Sequence, residues 1–363
     1  MSFITIRFPF DANGSVAGEL LSTAWWFKVA THRVLSLAKR QQVLPGTKIG
    51  WINTFRESAY GIVPNRRYAD GAVILMMGIY ESCRALGVDF RSIELSSWLM
   101  FQQVELEYPA RNITLKPGYE FHVTTVDYGG NTHRVVVKPT VPGNYGLLLD
   151  KVLRERQRYT GRVVLRSYGI GGSNLWVQGE VQVTIPMGFY YRHMARYRRN
   201  DGKLYGGVDV NTDRINLAII DEDGELIDHK TFWFSEASRK GCSGRRAWSI
   251  IGMRIHELLD YAYNNGVNTL FLENPEVLGR LKLMWAKSGD RGHGNYNHKV
   301  MTFRSTIIER VALKAPLYSI EVKYVNPKGT TNSVEHDEAM RKHGLDRHNA
   351  SAYLIALRGL KHQ

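Results

Sequence analysis

Cysteine is almost missing from this chain. Its only two, Cys83 and Cys242, lie far apart and neither belongs to a Cys-x-x-Cys pair, which excludes a disulfide framework and a cysteine-built zinc site. A reducing cytoplasm is therefore the expected compartment. Also missing is any run of about 18 uninterrupted apolar residues, the length a membrane helix needs. The opening MSFITIRFPFDANG has no basic segment followed by an apolar stretch, so a soluble, unexported protein is expected. Low-complexity tracts are absent, which argues against disorder. Acidic residues are the minority: 34 Asp and Glu stand against 48 Lys and Arg in 363 residues, a formal net charge of +14. That balance suits a protein whose partner is a polyanion, and the length allows two domains with a core each.

The positive charge is clustered. In YYRHMARYRRN, Arg192, Arg196, Arg198 and Arg199 are interleaved with Tyr190, Tyr191 and Tyr197. Guanidinium forks beside aromatic rings suit phosphate contacts and base stacking together, although a solvated basic loop would read the same way.

The apolar pattern predicts two kinds of organisation. Ile4, Ile6, Phe8 and Phe10 alternate as in a strand. From about Ser15 to Arg40 the spacing becomes helical, with Leu21, Trp25, Val29 and Leu37 among the apolar positions, and a second helical region runs from about Tyr68 to Leu86. After Ser97 the texture is β: FQQVELEY, NITLKPG and the stretch from Tyr119 to Val141, where Asp127-Tyr128-Gly129-Gly130-Asn131 predicts a hairpin turn. GRVVLRSYGI and LWVQGEVQVTIP add a strand pair. The order implies a β-barrel interrupted by a helical insertion, with the basic run and the turn Asn200-Asp201-Gly202 leading to the next domain.

From Tyr205 the grammar changes. GGVDVNTDRINLAIID and GELIDHKTFWF give three successive strands. A helix with Trp248, Ile251, Ile255, Leu258 and Ala262 on one stripe stops at Asn264-Asn265-Gly266. The short strand TLFLEN follows, then a helix carrying Phe303, Ile307, Val311 and Ala315. A strand alternating Ile320, Val322 and Tyr324 comes next, and a last helix runs from about His348 to Leu360. This is the element order of an RNase H-like fold.

Three segments carry acidic residues where chemistry would need them. Asp209 lies between Val208 and Val210 inside the first strand, where an uncompensated carboxylate would cost several kcal/mol. Glu273 ends the apolar run Leu270-Phe271-Leu272, at the strand end where α/β domains bind ligands. Two such carboxylates together suit a hard divalent cation such as Mg²⁺. Asp346 and His348 open the small-residue helix of GLDRHNASAYLIALRGL, where an N-capping aspartate is the simpler reading and a ligand the sharper one.

Together these segments resemble the RuvC motifs of the transposon-encoded TnpB proteins and the related type V CRISPR effectors. GVDVNTDRINLAIID is similar to the first motif, with its metal-binding aspartate at Asp209; TLFLENPEVLG is similar to the second, with its glutamate at Glu273. SIEVKYVNPKGTTNS resembles the segment before the third motif. In the third motif, Asp346-Arg347-His348 and then NASAYLIALRG, His348 stands where that family's ligand aspartate is expected, so the third ligand is His348 or Asp346. The family's four-cysteine zinc ribbon is missing; in its place TTNSVEHDEAMRKHG offers His336 and His343, expected at the surface rather than as zinc ligands.

The resemblance implies an α/β plus β architecture. Residues 1–14 and 97–190 would form a wedge-like β-barrel, 15–96 a helical recognition insertion, 191–204 a basic linker and 205–363 a RuvC-like nuclease domain. The implied activity is RNA-guided DNA cleavage by two Mg²⁺ or Mn²⁺ ions, without zinc. Asp209 would bridge the ions, with Glu273 and His348 or Asp346 completing their shells. Implied partners are a guide RNA encoded near the protein's own gene and target double-stranded DNA, with cytoplasmic, nucleoid-associated localisation. Nucleic acid would be gripped by Arg192, Arg196, Arg198, Arg199, Tyr191 and Tyr197. The rivals are an RNA-guided protein that binds DNA without cutting and a RuvC-like nuclease that needs no guide.

Overall fold

A computed structural model describes residues 3–86, 88–95, 99–104, 106–172, 174–197, 203–239, 241–274, 291–326 and 333–361; for 85–86, 238 and 291–302 it describes the backbone alone. The chain divides into two compact units, Met1–Met194 and Ala195–Gln363.

In the first unit β1 (Phe3–Asn13) buries Ile6, Phe8, Phe10 and Ala12 and exposes the residues between them. It pairs antiparallel with β7 (Asn174–Pro186) from Phe3↔Pro186 to Asn13↔Trp176. With β6 (Thr160–Gly171) and β2 (Leu99–Gln102) these strands form a sheet ordered β1-β7-β6-β2. Between β1 and β2 the chain makes three helices, α1 (Gly14–Arg40), α2 (Lys48–Tyr60) and α3 (Arg66–Leu86). A second antiparallel sheet holds β3 (Ile113–Leu115), β4 (Phe121–Val126) and β5 (Thr132–Val137), with the Asp127–Asn131 turn joining the last two. The strands expected in one barrel are thus hydrogen-bonded, among the described residues, as sheets of four and three. Helices α4 (Gly143–Arg154) and α5 (Met187–Met194) complete the unit.

In helix α1 the apolar positions and the core face differ. Trp25 and Val29 face solvent, and the buried line is Ala17, Leu20, Ala24, Phe27, Ala30, Val34 and Ala38. Residues four apart advance more than one turn, about 40° each time, so a strict i+4 series winds off any fixed face. The small alanines let the helix approach its neighbours closely. The apolar pattern predicts neither α2 nor α4. The first buries only Trp51, Phe55 and Ala59, and the second is 12 residues long.

The second unit is built on one mixed sheet ordered β10-β9-β8-β11-β12. β8 (Leu204–Val210), β9 (Arg214–Ile220) and β10 (Leu226–Trp233) form an antiparallel meander, and β11 (Val267–Glu273) and β12 (Glu321–Val325) run parallel to β8. This is the RNase H-like arrangement. On one face α6 (Gly244–Asn264) and α7 (Arg291–Lys314) cover Val208, Val210, Leu217 and Leu270 with Ile251, Ile255, Leu258, Ile307 and Val311. On the other, α8 (Val334–His343) and α9 (Arg347–Lys361) cover Tyr205, Ala218 and Phe271. Cover on both faces explains why the central strands read as continuous apolar runs. The expected alternation in β12 fails: Tyr324 is 49% exposed and Val322 half-buried, because β12 is an edge strand.

Two glycines set how near α9 lies to the sheet. A Cβ at Gly207 would stand 2.1 Å from the Ala352 carbonyl oxygen, and one at Gly359 would stand 2.1 Å from the Phe271 ring. At Gly207 backbone rests almost on backbone, and at Gly359 the helix backbone lies against the Phe271 ring. That close approach carries the first turn of α9 to the ends of β8 and β9.

Candidate active site

Asp209 is the penultimate residue of β8 and shares with Gly207 and Tyr205 the face that α9 covers. It is 5% exposed. Its Oδ2 accepts a 2.7 Å hydrogen bond from the Asn211 amide, which also lies 3.1 Å from His348 Nδ1. His348 Nδ1 is 3.4 Å from the same carboxylate oxygen.

Glu273 is the last residue of β11, one step beyond the parallel register pair Leu272–Val208. The period of two therefore brings it out beside Asp209 on the same face and at the same sheet end. It is also 5% exposed. Burial pushes its carboxyl up to about 7; Arg304 opposes that shift and the charge of Asp209 adds to it. Arg304, from α7, donates to Glu273 Oε2 at 3.2 Å and lies 3.8 Å from Asp209 Oδ1. One guanidinium thus serves two buried carboxylates.

The first turn of α9 separates the roles of its two candidates. Asp346 is a capping residue: Oδ1 accepts from the backbone N–H of His348 at 2.8 Å and of Asn349 at 3.1 Å, and Oδ2 from the Asn349 amide at 2.6 Å. Burial raises its carboxyl, but these donors outweigh it and hold the group below its ordinary value. Asn349 is buried and accepts from Asn216 of β9, whose amide also donates to Thr231 of β10. This network fixes the start of α9 on the sheet. Of the two, His348 is the one in contact with Asp209.

Nearby, His336 is not the surface residue expected. It is 2% exposed, and its Nε2 lies 2.8 Å from the Arg347 carbonyl oxygen and 3.3 Å from Ser351 Oγ. His343 is half-buried against the Tyr353 ring at 4.8 Å. The apolar side of α8 that packs under α9 carries both imidazoles inward.

The donor chemistry suits a hard divalent cation: two buried carboxylates with an imidazole against one of them. Among the described residues, no three His, Cys, Asp or Glu side chains converge closely enough to hold a metal ion as they stand. The Arg304 guanidinium, 3.8 Å from Asp209 and 3.2 Å from Glu273, places one positive charge beside the pair.

The basic–aromatic cluster is split in role. In the first unit Arg192 is exposed on α5, 3.7 Å from Glu155, and Tyr191 is half-buried. In the second unit Arg196 donates to Asp260 at 2.6 Å and its guanidinium stacks 4.3 Å above the Tyr318 ring, so much of its bonding is internal. Tyr197 is 91% exposed. Arg198 and Arg199 lie outside the described residues.

Sequence patterning does not single out Arg304, Asn211, Asn216 or Asn349. Arg304 had a signal: with Ile308 and Val311 it falls at helical spacing on the buried stripe of α7, where a charge demands a partner.

No protein-family model matches the chain. Two Aeropyrum pernix proteins described as uncharacterized are each 62% identical to it over 361 residues, covering 99% of this chain and 97% and 86% of theirs. An uncharacterized protein of Saccharolobus solfataricus is 35% identical over 180 residues, half of this chain. Among solved structures, a Cas12f1 complex with single guide RNA and target DNA is similar in fold, with a TM-score of 0.54 at 11% identity, over 94% of this chain and 82% of that one.

Proposed function

We propose a function for the family to which this chain and the two Aeropyrum pernix proteins belong: metal-dependent, RNA-guided cleavage of DNA at one RuvC-like site, in a transposon-associated setting. The observation that carries the reading is the pair of carboxylates, Asp209 and Glu273, buried side by side at the ends of neighbouring parallel strands. Burying one carboxylate is costly and burying two together more so, which a binding surface would not require.

In this reading Asp209 and Glu273 hold the metal, His348 supplies the third donor, and Asn211 orients both Asp209 and His348 through its amide. Asp346 keeps the helix start in place. When bound, two Mg²⁺ or Mn²⁺ ions supply an activated water and neutralise charge on the leaving oxygen of a phosphodiester. The guide RNA and the target duplex are supported by the +14 charge and by the likeness in fold to the Cas12f1 complex across both units. By the same likeness, the sheets of the first unit act as the wedge-like barrel and α1 to α3 as the recognition insertion.

Asp209→Ala and Glu273→Ala should each abolish hydrolysis while leaving nucleic-acid binding largely intact. A second reading, binding without cutting, draws on the Arg304 guanidinium beside both carboxylates. Tight binding of matched DNA with metal present and no cleavage would select it.

A further inference from the structure

We propose that Arg304 is a resident counter-ion of the acidic pair, standing where the divalent cation binds and leaving when the cation arrives. The inference rests on the reading of Asp209 and Glu273 as metal ligands and adds how that site is filled before loading.

The geometry is that of a loose occupant. A guanidinium that serves as a structural clamp makes two short parallel hydrogen bonds to one carboxylate, at about 2.7–2.9 Å. Arg304 instead spreads one nitrogen, Nη2, between two carboxylates at 3.2 Å and 3.8 Å. Its Nε is buried without a hydrogen-bond partner among the described residues. The side chain is thus drawn in by charge and poorly matched by hydrogen bonds. One positive charge is shared between two carboxylates, and a dication would bring twice that charge to the pair. A cation held by Asp209 and Glu273 would meet the guanidinium there as a like charge, so the two cannot share the site. Each therefore weakens the other's binding, and a competitor of this kind sets a threshold on metal affinity. The position of Arg304 on the buried stripe of α7 explains its reach, because the same stripe carries Ile308 and Val311 against the sheet and brings the guanidinium to the strand ends.

The test is a titration of the full chain with Mn²⁺ alone, following the free ion by electron paramagnetic resonance, for the unmodified protein, Arg304→Gln and Arg304→Lys. Asp209→Asn is measured in the unmodified and Arg304→Gln backgrounds. Removing the charge should tighten Mn²⁺ binding about tenfold or more, within the usual range of coupling between competing ligands. Lysine, which keeps the charge on a shorter and more strongly hydrated group, should fall between. Asp209→Asn should abolish the site in both backgrounds. Thermal melting adds a second readout: in chelator Arg304→Gln should melt below the unmodified protein, and Mn²⁺ should raise its melting temperature more. If Arg304→Gln does not fold in chelator, rescue by Mn²⁺ supports the proposal, and the Lys variant alone must then show the tighter binding. Equal or weaker Mn²⁺ binding in the variants, with Asp209→Asn still abolishing it, overturns the counter-ion proposal and leaves the metal site standing. No Mn²⁺ binding in any protein, or binding that survives Asp209→Asn, overturns both.

Discussion

Replacing Gly207 with alanine would put a methyl carbon 2.1 Å from the Ala352 carbonyl oxygen, 2.5 Å from the Ala356 backbone nitrogen and 2.9 Å from the Ala356 Cβ. None of these atoms can swing aside, since two are helix backbone and the third is fixed to it. Helix α9 must lift from β8. Overpacking a core typically costs about 1–3 kcal/mol, and obstruction by backbone belongs at or above the upper end, roughly 3 kcal/mol. For a domain of this size each kcal/mol lowers the melting temperature by about 2–4 °C, so Gly207→Ala should melt roughly 6–12 °C lower by circular dichroism. The neighbouring Gly206 is the control. A methyl there meets Leu270 Cδ2 at 2.6 Å and Leu217 Cδ1 at 3.0 Å, ends of flexible side chains that can rotate, at a cost of about 1 kcal/mol. If Gly207→Ala melts with the unmodified protein, or Gly206→Ala is the worse of the two, the account of how α9 reaches the site is wrong.

Further outcomes follow from the site. The Glu273 carboxyl has a folded pKa of about 7 against an ordinary 4.5, so the folded chain binds the extra proton between those values. The contribution of Glu273 to the stability of the metal-free protein is then fully present below that window and lost as pH rises through about 7, and Glu273→Gln should flatten that part of the slope in urea midpoints measured at acid and mildly alkaline pH. Asp346→Ala, which removes the cap of α9, should cost about 1 kcal/mol of stability. His348→Ala should cost little stability but weaken divalent-ion binding by calorimetry; the reverse pattern would make Asp346 the ligand. Nucleic-acid affinity should fall steeply with salt, with a slope of about −0.9 per duplex phosphate neutralised, and an affinity indifferent to salt would refute the phosphate-gripping role.

The second unit was the more legible half, for a physical reason. Its strands are buried on both faces, so each reads as an apolar run, and a carboxylate within or at the end of one stands out. Asp209 and Glu273 were visible in that way. The surrounding amides are not, because Asn211 meets His348, and Asn216 meets Asn349, only through the docking of α9. The burial of His336 likewise depends on α8 lying under α9, a tertiary contact with no local signature. In the first unit the period of β1 is plain, whereas α1 is harder to read because its conspicuous residues, Trp25 and Val29, are exposed and much of its core face is small, Ala, Ser and Thr. Short α2, with three buried side chains, leaves too weak a period to read.

The central claim is tested most directly by purifying the protein from cells that express its native locus, sequencing the RNA that accompanies it, and supplying Mg²⁺ with DNA that matches or mismatches that RNA. The account predicts a defined co-purified RNA and cleavage confined to matched DNA, lost in Asp209→Ala. Cleavage without RNA, or none of the matched DNA, would contradict it.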